Sequence, residues 1–203
     1  VLAGESTGGF VGGNYGTIDQ SYATGNVIGS FTDVGGFVGA LVSGTITNSY
    51  NRGNATAANH VGAFGGTAYD GSTIINSYTT GIATLSPSGN PEPVSDNFIT
   101  IPDIGINNET FTSLFFDETV AGIVANSTLS QGVTSSILKT QKPFIDLGWD
   151  FETIWGISTS VNDGYPTFLY ALPAEDKDSD GHSGIEENAA PNNGDANQDG
   201  VLD

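Results

Sequence analysis

Residues 7–27 read TGGFVGGNYGTIDQSYATGNV, and the same pattern occurs twice more, as VGGFVGALVSGTITNSYNRGNA from residue 34 and as VGAFGGTAYDGSTIINSYTTGIA from residue 61. Each copy combines glycines around a short apolar run with a Thr-Ile segment, a Ser-Tyr pair and a further glycine. The leading glycines, at positions 8, 35 and 62, are 27 residues apart, whereas the Ser-Tyr pairs are 28 residues apart. The chain is therefore a tandem repeat in which the loop after the first run lengthens by one residue per copy.

The repeat predicts an all-β fold. Tandem units of about 20–50 residues stack as solenoids, and these runs are too short and too β-branched for ordinary helices. Three strands per turn with glycine at the corners predict a parallel β-helix of about three to four coils. The helix is expected to be right-handed, because crossover connections between parallel strands are right-handed. Stacking at ~4.8 Å places each residue above its equivalent in the previous coil. The predicted inward columns are Phe10, Phe37 and Phe64, and Ile18, Ile46 and Ile74.

Polar residues recur between the inward positions. Gln20, Asn48 and Asn76 lie between the isoleucine and tyrosine columns of the three copies. They are predicted to form an amide ladder along the stack, because buried amides can bond to equivalent amides above and below. A sugar-binding stripe is the alternative. Asp33 is predicted to lie at a corner, where its replacement would cost little stability.

The strings GGFVG, GTI and SYATGNV, with their two further copies, resemble GLUG motifs over residues 1–84. This family occurs in large bacterial and archaeal surface proteins, so the resemblance implies an adhesin-like or exoprotein segment. The strings GWDF at 148, WG at 155 and GYP at 164 resemble the tail that commonly closes such arrays. The tail is expected to cover the open end of the stack, with a short helix near Thr134–Lys142. An aromatic platform for carbohydrate is the alternative.

Composition divides the chain into four parts. Residues 1–84 hold the repeats, and 85–100 form an exit loop with three prolines. Residues 101–174 are richer in bulky apolar side chains and are predicted to be a small mixed capping module with one short helix. Residues 175–203 are an irregular acidic segment with almost no bulky apolar residues, and are predicted to be a calcium-binding linker.

The acidic tail contains two loops with the spacing of EF-hand-type calcium sites. Alternate acidic side chains and a glycine turn let several oxygens converge on one ion. The predicted Ca²⁺ ligands of the first loop are Asp176, Asp178, Asp180, the His182 carbonyl and Glu187. The second, incomplete loop offers Asp195, Asn197, Asp199, the Val201 carbonyl and Asp203. The segment resembles thrombospondin type 3-like calcium repeats, and a merely solvated acidic linker is the alternative.

Charge and composition restrict the partners. The net charge of −19, from 23 acidic and four basic residues, disfavours nucleic acids and anionic membrane surfaces. No apolar stretch approaches the roughly 20 residues of a membrane span, so no membrane insertion is expected of this fragment. The chain contains no cysteine, no initiator methionine and no signal peptide, and it opens inside a repeat. It is therefore expected to be a piece of a longer secreted protein.

Catalysis is not expected. The chain has only two histidines, His60 and His182, and its basic residues are dispersed. A carboxylate pair for glycoside hydrolysis would have to come from Asp19, Asp33 and Asp70, and none of these stacks on another acid at the repeat period.

Together these features predict an extracellular structural or adhesive segment of a large surface protein, with an acidic linker that calcium stiffens. Two alternatives stay open, namely a self-assembling filament subunit and a carbohydrate-binding or carbohydrate-cleaving β-helix module. The expected partners are calcium and either surface glycans or other copies of the protein. Glycan acceptor sequons occur at Asn54, Asn108 and Asn126.

Overall fold

The structure is a computed structural model that describes residues 6–30, 32–69, 71–86, 97–100, 108–122 and 129–173. The chain folds as two compact units, Val1–Ser135 and Ser136–Asp203. Most of the regular structure is β-strand, in sheets whose pairing is mainly parallel, which confirms the predicted all-β class. The described ranges contain no helix with the length and apolar composition needed to cross a membrane.

Four parallel sheets build the first unit, and in each of them equivalent strands of successive repeats pair. The first contains Thr7–Gly8, Val34–Gly35 and Val61–Gly62. The second contains Val11–Asn14, Val38–Val42, Gly65–Tyr69 and Ile99–Thr100. The third contains Thr17–Asp19, Tyr22–Ala23, Thr45–Thr47, Tyr50–Asn51, Thr73–Thr79, Thr110–Asp117 and Gln131–Val133. The fourth contains Val27–Ile28, Ala55–Ala57 and Ala83–Leu85.

The pairing follows the sequence period. Ile18 pairs with Ile46 and Ile46 with Ile74, as a step of 28 residues requires. The same sheet continues past the third repeat, because Thr73–Thr79 pairs in parallel with Thr110–Asp117, and that strand pairs with Gln131–Val133. The parallel stack therefore includes strands beyond residue 84.

The core of the first unit consists of side-chain columns that run across the sheets. Phe10, Phe37, Phe64 and Phe98 stack with nearly parallel rings, whose centroids are 4.9, 4.9 and 4.6 Å apart. The last three rings are fully buried, whereas Phe10 is 50% exposed. A second column contains Tyr22, Tyr50 and Tyr78, with centroids 5.0 and 5.2 Å apart. Each ring therefore covers an apolar face of the equivalent ring in the next repeat.

The predicted amide ladder is wrong. Gln20, Asn48 and Asn76 have φ angles of 45°, 43° and 49°, so they are left-handed corner residues. This conformation turns their side chains out of the interior, and the Asn48 amide instead donates to a carboxylate oxygen of Asp19 at 2.8 Å. Asn tolerates this backbone region better than most residues, which explains its recurrence at the corner.

A serine column provides the side-chain ladder in the third sheet. The backbone N–H groups of Ser21 and Ser49 donate to the hydroxyl oxygens of Ser49 and Ser77, at 3.3 and 3.2 Å. The Ser49 hydroxyl donates in turn to the Thr47 carbonyl at 2.7 Å. These bonds satisfy polar groups at the bend between two strands, where the ladder of backbone hydrogen bonds is interrupted.

One glycine column shows why bulkier residues are excluded from a corner. A Cβ at Gly53 would overlap the carbonyl oxygen of Gly25, and a Cβ at Gly81 would overlap that of Gly53. These glycines are therefore required by close backbone contact between successive repeats.

The sequence predicts a single helix near Thr134–Lys142, but the structure has two one-turn helices in this region. The first, Ser135–Leu138, begins at the boundary between the units, and the second, Lys142–Ile145, lies in the second unit. Pro143 lies in the first turn of the second helix, and because it lacks an N–H it cannot extend the first. The remaining elements of the described chain are the helix Glu118–Ala121 in the first unit, the 3₁₀ turns Asn162–Gly164 and Leu169–Ala171, and an antiparallel pair, Trp155–Gly156 with Thr167–Phe168.

Aromatic side chains form the core of the second unit. Phe144, Trp149, Trp155 and Phe168 pack in sequence, with ring centroids 4.7, 4.6 and 5.0 Å apart. Asp150 closes the turn between the tryptophans, since it accepts hydrogen bonds from the Thr153 hydroxyl and from two backbone N–H groups. The Thr153 side chain, with those N–H groups, lowers the pKa of Asp150. The capping role predicted for this region stays a prediction.

Candidate functional site

The predicted calcium ligands, from Asp176 to Asp203, lie outside the described residues. Within the described ranges, no three His, Asp or Glu side chains come together as a metal site would require. Of the three acids considered for catalysis, Asp70 also lies outside the described residues. Asp19 and Asp33 lie in separate clusters that share no hydrogen-bond partner.

Asp33 lies at a corner with a left-handed backbone, but this corner is not exposed, as the prediction of a small replacement cost would require. Its side chain is buried, and four side chains donate hydrogen bonds to its carboxylate. Oδ1 accepts from the Thr67 hydroxyl at 2.7 Å, the Thr32 hydroxyl at 2.9 Å and His60 Nδ1 at 3.1 Å. Oδ2 accepts from the Tyr69 hydroxyl at 3.2 Å. The carboxylate is thus held by groups from two successive repeats.

The repeat register explains how these residues meet. Ser6, Asp33 and His60 each precede the first strand of their repeat, so they occupy one column at 27-residue spacing. Asp33 and His60 both have left-handed backbones, with φ of 57° and 44°, which turn their side chains away from the strand direction. The 27-residue spacing of Asp33 and His60 was visible in the sequence and would have predicted their contact.

A glycine in the second sheet allows Asp33 to come close to the threonine. A Cβ at Gly66 would overlap the backbone of Asp33 and Val34, which lies directly against that strand. The next residue, Thr67, is fully buried and donates its hydroxyl hydrogen to Asp33. Gly66 is therefore required for the close approach that buries the carboxylate.

The hydrogen-bond pattern fixes the histidine tautomer and the tyrosine protonation state. A carboxylate only accepts, so His60 Nδ1 carries a hydrogen, which also points to the Thr32 hydroxyl oxygen at 2.9 Å. Burial raises the pKa of Tyr69, and the charge and hydrogen bond of Asp33 raise it further. Tyr69 is therefore a neutral donor over the ordinary pH range.

A surface groove of about 670 Å³ opens beside this cluster. Its lining includes Asp33 and, from other elements, Ser6, Tyr15, Thr32, Val42 and Tyr69. Val42 pairs with Tyr69 on one side. On the other side Asn14 pairs with Leu41, so the next residue, Tyr15, lies beside Val42. The two tyrosines therefore flank Val42 in one column. The groove therefore combines a carboxylate and hydroxyls with two aromatic side chains.

Asp19 forms a second, exposed cluster. Its Oδ1 accepts from the Thr47 hydroxyl at 2.6 Å and from the Asn48 amide at 2.8 Å. Partial burial raises the pKa of Asp19, but the hydrogen bonds from Thr47, Asn48 and Gln20 together lower it below its usual value. These partners come mainly from the next repeat, so Asp19 joins neighbouring corners.

Comparison with known proteins gives two matches. An alignment of 172 positions, which covers 80% of this chain, shows 30% identity to a protein of Evansella cellulosilytica named "Putative Gly-rich membrane protein" and covers 15% of that protein. The chain thus spans about 15% of the length of this relative. No solved structure matches significantly. Residues 3–28, which include the first copy of the repeated pattern, match the family model described as the GLUG motif.

Proposed function

We propose that this chain is a structural segment of a large, surface-associated repeat protein, and that its parallel strands wind as a right-handed β-helix. The GLUG match and the name of the longer relative support the surface association. A scaffold role also accounts for the repetition, because tandem repeats supply length and stiffness, and catalysis does not require a motif in three copies. We propose no catalytic activity for this segment.

The observation that carries this proposal is the unbroken register between repeats. Between the three repeats, the phenylalanine, tyrosine, isoleucine and serine columns all step by 27 or 28 residues, so each repeat covers the polar and apolar surface of the one before it. An enzyme on such a stack would carry its active site on one repeat that differs from the others. Here the core columns are filled in the same way in successive repeats, as expected for a spacer.

Removal of one whole repeat tests the β-helix. Val38 and Gly65 are paired equivalents, so deleting Val38–Phe64 joins Phe37 to Gly65 and keeps the columns in phase. We expect this variant to fold cooperatively, with an unchanged β-type circular dichroism spectrum and a lower urea midpoint, because one interface between repeats is lost.

Deleting Val38–Tyr50 is the matched control, since it removes about half a repeat and joins positions that are not equivalent. We expect it to abolish the cooperative transition. If the whole-repeat deletion unfolds as completely as this control, the strands do not form interchangeable coils and the β-helix proposal is wrong.

We further propose that residues 175–203 form a calcium-stiffened linker. Acidic side chains at alternate positions repel each other without a cation, and the segment has few apolar groups to offset the entropy of ordering. Bound Ca²⁺ would remove this repulsion and hold the loop through the ligands named above. Such a linker would connect the repeats to further parts of an extracellular protein.

Calcium uptake is the measurement for the linker. We expect the unaltered chain to bind Ca²⁺ in calorimetry with a dissociation constant of about 10⁻⁴–10⁻³ M, as extracellular modules do. The Asp178→Ala/Asp180→Ala variant should lose this uptake. The Asp146→Ala/Glu152→Ala variant, which removes two exposed carboxylates elsewhere, should keep it. Equal uptake by all three proteins would show that the tail is only a solvated run of charge.

A further inference from the structure

We propose that the groove beside Asp33 binds the ring of a neutral sugar. The groove is large enough for a small ligand, since binding pockets typically measure about 300–1,000 Å³ and this one measures about 670 Å³. This inference does not depend on the β-helix proposal, because it rests on the contacts of three adjacent repeats.

The apolar parts of the groove fit a sugar ring. Tyr15 is 75% exposed, although its ring lies beside the backbone of Gly13, where an added Cβ would be 3.3 Å from the ring. Tyr15 and Tyr69 are two strand positions apart, roughly 10 Å, with the smaller Val42 between them. A ring of C–H groups can pack against such an aromatic face, and the small residue between the tyrosines leaves room for it.

The polar parts supply orientation. A carboxylate has about four lone-pair directions, two on each oxygen. Three donors already crowd Oδ1 of Asp33, but among the side chains that the structure describes only the Tyr69 hydroxyl reaches Oδ2. Oδ2 can therefore accept one hydrogen bond from a ligand hydroxyl, and the hydroxyls of Ser6 and Thr32 line the same groove. A buried carboxylate fixed by four donors is preorganised, so little ordering is needed when a ligand binds.

The charge of the groove and its occupied lone pairs disfavour anions and metal ions. The Asp33 carboxylate and the net charge of −19 oppose an anionic sugar or a phosphate. A divalent cation needs six or so oxygen ligands with free lone pairs, whereas the hydrogens of His60 and three hydroxyls already point at this carboxylate. A neutral polyhydroxy compound can donate to the remaining acceptor position of Asp33 Oδ2 and pack against the rings of Tyr15 and Tyr69.

The test is an NMR titration of the full chain with methyl glycosides of glucose, galactose and mannose, each added separately. We expect at least one to shift the amide signals of Asp33, Thr67 and Tyr69, with a dissociation constant on the order of 1 mM, because the groove covers only part of a ring. Glucuronate should bind at least about tenfold more weakly, because its carboxylate faces Asp33.

Two variants make the result specific. Tyr15→Ala removes a ring that is 75% exposed, so the chain should fold normally and bind about tenfold more weakly. Tyr170→Ala removes a ring of similar exposure, 71%, from the other unit and should bind like the unaltered chain. The proposal is overturned if no neutral glycoside shifts these signals, if Tyr15→Ala binds as well as Tyr170→Ala, or if Nα-acetyl-lysine methylamide or Ca²⁺ binds more tightly than every glycoside.

Discussion

Replacing Phe37 by alanine is expected to lower the free energy of unfolding by about 3–5 kcal/mol. The ring is fully buried and stacked on both sides, with centroids 4.9 Å from those of Phe10 and Phe64. Its loss removes apolar burial and both stacking contacts, and it leaves a cavity between rigid strands that cannot move together, because the strand spacing is fixed by backbone hydrogen bonds. Urea denaturation followed by circular dichroism measures the change.

Phe10→Ala is the matched control. The ring belongs to the same column, but it is 50% exposed and, among the described residues, stacks on Phe37 alone. Its removal opens no enclosed cavity, so the expected cost is about 1 kcal/mol. Equal costs for the two variants would contradict the view that the enclosed column, and not stacking alone, stabilises the first unit.

Replacing Asp33 by alanine is expected to lower the free energy of unfolding by about 2–4 kcal/mol. The substitution leaves the Thr67 and Tyr69 hydroxyls without their acceptor and removes one of the two acceptors near His60 Nδ1. Each buried donor left unsatisfied costs about 1–3 kcal/mol. Water that enters from the groove should recover part of this cost for Tyr69, while Thr67 is fully buried and has no such access. The sequence alone predicted almost no cost.

Asp19→Ala provides the comparison, because Asp19 also accepts several side-chain hydrogen bonds but at an exposed corner. Its donors can turn to water, so the expected cost is below about 1 kcal/mol. Chemical denaturation of both variants at neutral pH decides the order. A larger loss for Asp19→Ala than for Asp33→Ala would show that the buried cluster does not contribute as its geometry implies.

The periodicity of the sequence was sufficient to predict the parallel pairing and the aromatic column. In stacked parallel strands, residues one period apart are neighbours, so the step from Ile18 to Ile46 in the sequence is also a contact in the structure. For the same reason Phe37 and Phe64 could be placed in the interior. Residues one period apart share the same environment, and a column of phenylalanines is stable in the core and not in solvent.

The corners were less predictable, because alternation along a strand holds only where the backbone stays extended. At Gln20, Asn48 and Asn76 a left-handed residue interrupts the alternation, so counting inward and outward positions across it failed. Asp33 also has a left-handed backbone, and its carboxylate lies against the strand Gly65–Tyr69 of the second sheet. A buried site formed this way depends on backbone angles and close glycine contacts, which a single sequence does not display.

The separation of 27 or 28 residues between the paired strands of the three repeats also determines how the first unit would respond to tension. Each repeat is bonded only to its neighbours, through strands that lie side by side in chain order. A load between the first and last strands is therefore carried by these interfaces in series, and they open one at a time. When one interface opens, the chain lengthens by roughly 90 Å, about 3.3 Å for each freed residue, while the remaining repeats stay paired. Such a segment yields in discrete steps under load, and each released repeat can pair again once the tension falls.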